Sequence, residues 1–128
     1  MEIATANQGS AAPSEQRSAT FTGLVYVDPV LRTDGVAVNR VFFAPGARTF
    51  WHWHEGGQLL QVVSGHGLIC AEGDLPWSLE AGDVVWAPPG ERHWHGGGRG
   101  ALMMHLAVSL GTTNWLEPVS DAEYGAQP

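Results

Sequence analysis

His52 and His54, followed four residues later by Gln58, have the types and spacing that could hold a metal ion. They lie in GARTFWHWHEGGQLLQVVSG, residues 46–65. In an extended strand side chains alternate between faces, so two histidines two residues apart point the same way. The sequence Glu55-Gly56-Gly57 predicts a tight reversal, making Arg48–His54 and Gln58–Ser64 a hairpin whose return strand brings Gln58 to the same interior. Two imidazole nitrogens and one amide oxygen would then converge, leaving a divalent ion short of one ligand. Glu55, in the turn itself, is the alternative oxygen donor.

These donors need rigid elements to aim them, and the rest of the chain predicts short strands. Phe21–Val27 ends at Asp28-Pro29, and Asp34-Gly35 is a turn. Val36–Ala44 is β-branched and aromatic and stops at Pro45-Gly46. Leu68–Ala71, Trp77–Leu79, Val84–Ala87, Arg92–His95 and the long apolar Ala101–Leu110 follow, with Gly or Pro at nearly every corner. With 17 Gly and 8 Pro and hardly any helical period, the pattern predicts an all-β sandwich or barrel. Residues 1–19, poor in anything to bury, are expected to be a flexible arm or a strand that orders against a partner subunit. Residues 20–110 make the barrel, and 111–128 a segment packed over it or over a neighbouring subunit.

Composition removes other chemistries. All six cations are Arg, so Schiff-base chemistry and a lysine base are excluded. Cys70 is the single cysteine, which rules out an internal disulfide and a cysteine-rich metal cluster. A net charge of −7 argues against nucleic acid and anionic membrane as partners. No basic segment followed by an apolar one opens the chain, and no apolar run approaches a membrane span. A soluble cytoplasmic protein is the expectation.

A second histidine cluster, Gly82-Asp-Val-Val-Trp-Ala-Pro88-Pro-Gly90-Glu-Arg-His93-Trp-His95, makes a resemblance specific. Gly46, His52, His54, Gln58 and Gly65 fall on the first cupin motif, and Gly82, Pro88, Gly90 and His93 on the second. The chain resembles a single-domain cupin, a small jelly-roll β-barrel. By that resemblance His52, His54, Gln58 and His93 ligate one divalent metal. Where most metal cupins carry Glu, this chain has Gln58. Three imidazoles and an amide leave the full charge on the ion, which favours Lewis-acid work on anionic oxygen over oxygen activation.

Two further histidines fall near this centre. His95 follows His93 by two residues and shares its face if the strand is regular. His105 sits inside the apolar run Ala101–Val108, where an imidazole needs a partner or a pocket. In a cupin the last strand lines the metal's own barrel, so His105 and His95 are the candidate catalytic residues, suited to proton transfer near neutrality. Asn39, Val41 and Phe43 share one strand face and are expected to line a small, mostly apolar cavity with Phe50, Leu60 and Met103. Trp51 and Trp53 face away from the ligands, towards a second sheet or a partner.

Several strings resemble the small bacterial cupins that include the manganese-dependent hydroxynitrile lyases: Pro45-Gly-Ala-Arg-Thr49, Gly82-Asp-Val-Val-Trp86, His93-Trp-His-Gly96 and His105-Leu-Ala107. That family also has Gln among its ligands and a catalytic histidine on the last strand. The resemblance implies a metal-dependent lyase that cleaves a C–C bond of a small hydroxy compound. Mn(II) is the expected metal, with Fe(II) or Zn(II) as alternatives. A homodimer or homotetramer is the expected assembly. An Fe(II) dioxygenase acting on a small aromatic or diketone, and a non-catalytic small-molecule or metal-binding cupin, are the competing readings.

Overall fold

The computed structural model describes residues 1–5 and 13–128. In chain order the strands are β1 (Glu15–Arg17), β2 (Phe21–Thr22), β3 (Val25–Thr33), β4 (Val36–Phe43), β5 (Arg48–Thr49), β6 (His52–His54) and β7 (Gln58–Ala71). They continue as β8 (Trp77–Glu80), β9 (Val84–Ala87), β10 (His93–Gly97), β11 (Met103–Leu110) and β12 (Thr113–Trp115), before a single helical turn α1 (Asp121–Tyr124). The expected all-β barrel is what forms. One layer runs β1-β3-β4-β11-β7 with β9 on the other edge of β7, and the second holds β8, β7, β10, β5 and β2 with β6 and β12.

Strand β7 belongs to both layers. Its first half pairs with β11 and β9, and its second half with β10 and β8. The two runs read separately in the sequence, 58–64 and 68–71, are therefore one strand. Its register against β11 skips a residue between Met104 and His105, and the bulge bends it from one layer to the other.

The hairpin expected around Glu55 is not a hairpin. β6 pairs with β10 and β12, while Gln58 opens β7 in the opposite layer. The Glu55-Gly-Gly57 reversal is a corner between sheets, and it works because both sheets face one interior. The corner needs its glycines: a Cβ on Gly56 would lie 2.6 Å from Leu110 Cβ, and Gly57 has φ +88°.

Other differences follow from long-range pairing. Asp28-Pro29 does not end its strand; β3 continues to Thr33. Pro29 lies beyond the reach of β1, which covers Val25–Val27, so its missing N–H leaves no ladder bond unmade on that edge. Of the segment 1–19, residues 6–12 lie outside the described residues, and Glu15–Arg17 pair with β3 of the same chain. Two clusters fill the interior. One gathers Val25, Val41, Phe43, Val62 and Met103 between the layers. The other holds Trp51, Leu68, Cys70, Trp94, Val119 and Tyr124 beneath the C-terminal segment.

That segment is tied down by Arg48. Its Nη2 donates to the Val119 carbonyl and to Asp121 Oδ1, each at 2.8 Å, and its guanidinium lies 4.7 Å from the Tyr124 ring centre. A capping box closes α1: Glu123 N donates to Ser120 Oγ and Ser120 N to Glu123 Oε1. Among the described residues no helix is long and apolar enough to cross a membrane.

Candidate metal centre and cavity

Adjacent strands bring the histidines of both motifs together. His93 of β10 stands opposite His52 of β6, and on its other side opposite Ala71 of β7. The His52 ring centre lies 4.4 Å from that of His93, 5.0 Å from His54 and 5.2 Å from His95. Ligand nitrogens of His52, His93 and His95 all fall within 4.8 Å of one another, a group that could hold a metal ion. His54 completes a triangle with His52 and His93, its ring centre 5.7 Å from that of His93. Gln58 arrives from β7, its Oε1 at 3.1 Å from His93 Nε2.

Hydrogen bonds to backbone carbonyls fix the tautomers of His52 and His93. His52 Nδ1 lies 2.9 Å from the Phe50 carbonyl and His93 Nδ1 lies 3.0 Å from the Glu91 carbonyl. A carbonyl only accepts, so each Nδ1 carries the proton and each Nε2 presents a lone pair. Gln58 Nε2 donates to Ser109 Oγ at 3.0 Å, which turns the amide oxygen to His93. Two lone pairs then face each other across 3.1 Å, an arrangement that a cation between them would make favourable. His54 Nδ1 is held by Thr113 Oγ1 at 2.9 Å, and its Nε2 is buried with no partner. A buried polar atom left unpaired costs about 1–3 kcal/mol, and a cation at His54 Nε2 would supply the missing partner. Outer partners on the far nitrogens and free lone pairs on the near side are the pattern of metal-ligating imidazoles.

Electrostatics keep those lone pairs available. Burial holds His52 and His95 well below the ordinary histidine range, with their neighbouring imidazoles adding to the effect. His54 is lowered to about 4 by burial and by His93 beside it; His93 is itself lowered by burial. His105 is lowered to about 4, again by burial. All are neutral at pH 7 and need lose no proton to bind a cation. The residues present fit a divalent ion: neutral nitrogen and oxygen donors, fixed orientations and an orphaned nitrogen.

His95 and His105 form a second pair. His105 Nε2 lies 2.9 Å from His95 Nδ1, so one proton is shared on that link. Their outer atoms, His95 Nε2 and His105 Nδ1, are buried without partners. Phe43 packs against both, edge-on to His95 with ring centres 5.8 Å apart and tilted against His105 at 5.3 Å.

A cavity of about 730 Å3 opens onto this cluster. Asn39, Val41, Gln58, His95, His105 and Ser109 are among its lining residues, as are His52 and His54. Phe43, Leu60 and Met103, expected on its wall, are fully buried core side chains, and Phe50, which supplies the carbonyl for His52, does not line it either. Trp51, set against the second core, is 7% exposed and offers no surface to a partner. The sequence reading missed Thr113 and Trp115. Strand β12 pairs with β6 and sets Thr113 under His54 and Trp115 at 4.7 Å from the His52 ring centre. A Thr-Asn-Trp triplet after the last long strand carries no local sign of that pairing.

Residues 39–108 match the family model described as Cupin domain. The chain is 41% identical over 123 residues to the (R)-mandelonitrile lyase of Granulicella tundricola, covering 91% of this chain and 94% of that one. Among solved structures, a cupin-like protein of Thermotoga maritima superposes with a TM-score of 0.81 at 39% identity, over 85% of this chain and 89% of that one. The polyketide cyclase RemF of Streptomyces resistomycificus shares the fold, with a TM-score of 0.73 at 18% identity over 95% of this chain and 91% of that one.

Proposed function

The chain belongs to the cupin family, and from that premise we propose that it is a metal-dependent lyase that cleaves the C–C bond of a small hydroxy compound, in the manner of a hydroxynitrile lyase. The observation that carries this reading is the neutral donor set beside an open imidazole pair. The similarity to a mandelonitrile lyase supports the substrate class. His52, His54, Gln58 and His93 are the proposed ligands, Mn(II) the proposed metal, and His95 and His105 the proton-handling residues. A bound divalent cation supplies Lewis-acid stabilisation to negative charge developing on a hydroxyl oxygen.

The chain's own residues do the rest. The substrate hydroxyl loses its proton to the His95–His105 pair, at His95 Nε2 or His105 Nδ1, and the pair carries one positive charge across its 2.9 Å link. The C–C bond breaks, its electron pair leaves with cyanide, and the former C–O bond becomes a carbonyl. The pair then returns the proton to cyanide. Burial makes these imidazoles reluctant bases, and by the same measure ready acids, so the return step is favoured.

Two measurements test the proposal. Metal analysis of the purified protein, followed by cyanide release from mandelonitrile in air and under anaerobic conditions, is expected to show one divalent ion and oxygen-independent release. A metal-loaded protein that releases no cyanide, or that consumes oxygen, overturns it. His105→Ala is expected to keep the metal and lose about 100-fold or more in rate. For the ligand set, His54→Ala is expected to lose metal and His95→Ala to keep it; the reverse would put His95 in the coordination shell.

A further inference from the structure

Six arginines are the chain's cations apart from histidine and the N-terminus. Arg17, Arg48 and Arg92 are committed to Glu15, Asp121, and Glu72 with Glu117. Arg32 lines the cavity and makes no ion pair among the described residues.

Its position there is not what strand alternation gives. Val25 and Val27 of β3 point into the core, so unbroken alternation would continue through Pro29, Leu31 and Thr33 and leave Arg32 outside with Tyr26 and Asp28. Instead the register against β4 shifts between Pro29 and Leu31. Pro29 stands opposite Asn39, Leu31 opposite Val38, and Arg32 opposite Ala37. Val30 is the extra residue, and it exchanges the faces of everything after it. Arg32 therefore shares a face with Ala37, Asn39 and Val41, all of which line the cavity.

Its distance from the reacting centre suits a small ligand. Val41 pairs with His105, and Ala37 lies four residues along the same strand. At about 3.4 Å per residue the two rows are roughly 14 Å apart. The arginine side chain spans part of that, leaving room for a ligand the size of a substituted benzene ring.

We propose that Arg32 receives a carboxylate of the substrate. The ligand is then a small hydroxy compound with its reacting carbon at the histidine cluster and a carboxylate at the opposite end. The assignment of the reacting end rests on the function proposed above. Asp34, Glu55 and Arg17, the last ion-paired to Glu15, also border the cavity, and the chain's net charge is −7. Recognition is accordingly by direct, fork-like contact with the guanidinium and not by long-range attraction.

The test is calorimetric titration of the purified protein with 4-carboxybenzyl alcohol and with its neutral counterpart 4-methylbenzyl alcohol. The carboxylate is expected to bind about tenfold tighter, as one charge-assisted bidentate contact gives. Arg32→Gln, at an exposed position, is expected to fold normally and to erase the difference, with Arg32→Lys in between. Equal binding of the two alcohols, no binding of either, or a preference that survives in Arg32→Gln overturns the proposal; in the last case the carboxylate sits on another group. Cyanide release from mandelonitrile is followed separately in wild type and Arg32→Gln. Its absence from both would overturn the lyase reading and leave this one to the titrations.

Discussion

Gln58 Nε2 donates to Ser109 Oγ across 3.0 Å, and that bond decides which end of the amide faces the histidines. The two residues come from different strands, β7 and β11, which pair at this point. Without the hydroxyl the amide is free to turn and offer its NH2 group, which cannot ligate a cation. Ser109→Ala is therefore expected to weaken metal binding about 10–100-fold, the usual cost of losing an outer-shell partner. Chelator competition measures it. Stability should change by only about 1 kcal/mol, so a melting curve separates the two effects.

Gln58→Glu adds a negative charge to an otherwise neutral cluster. The carboxylate is expected to tighten metal binding and to lower the rate of cyanide release, since it cancels part of the ion's charge. Metal titration and the rate, measured together, check this. Faster release by the variant would remove the reason for an amide at this position.

Acid should act on the metal-free protein through its buried imidazoles. His54 and His105 sit at about 4 in the fold, against about 6.5 for a free histidine, and His52, His93 and His95 are lowered too. Between those limits the unfolded chain binds more protons than the folded one, so stability falls as pH falls. The contribution is complete above about pH 6.5 and is lost progressively towards pH 4. Denaturant melts of the metal-free protein at pH 7.5, 6.0 and 5.0 are expected to show the decline. His105→Ala should make it shallower by that residue's share, leaving the part carried by the other four histidines.

Arg48 and Asp121 form one ion pair with unequal partners. The arginine side chain is 7% exposed and the aspartate wholly so. An exposed carboxylate is screened, and Asp121→Asn is expected to change stability by less than about 1 kcal/mol. Arg48→Ala also strips the Val119 carbonyl of its donor and the Tyr124 ring of its cover. It should destabilise by about 2–4 kcal/mol and expose the C-terminal segment to proteolysis. Equal effects of the two substitutions would mean that the ion pair, not the packing, holds that segment.

The site was legible in the sequence to the extent that chemistry is local. His52 and His54 share a face because strand parity is a property of neighbours, and His105 was conspicuous for lying in an apolar run. The all-β barrel followed from glycine and proline at the corners. What could not be read depends on contacts between distant segments. The corner at Glu55 looks like any hairpin turn until β6 and β7 are found in different layers. The Thr113 hydroxyl under His54 depends on β12 pairing with β6, 59 residues away along the chain. The residue skip in β3 has no composition of its own, so Arg32 is invisible as a cavity residue in the sequence. Leu60 and Met103 do face inward, as strand parity gives, but are buried wholly in the core and not on the cavity wall.

β7 carries a consequence for how such a chain can change. Its first residue, Gln58, faces the cluster from one layer, and its last, Ala71, is paired with His93 in the other. Fourteen residues of a single strand thus set the spacing between the two motifs' contributions. New reactivity can arise by exchanging side chains on that strand and its neighbours while the spacing stays constant. A single inserted or deleted residue near the Val63 bulge would instead invert one half of the strand relative to the other, and no exchange of side chains would repair it. Substitution is the open route to diversification along β7, and length variation is the closed one.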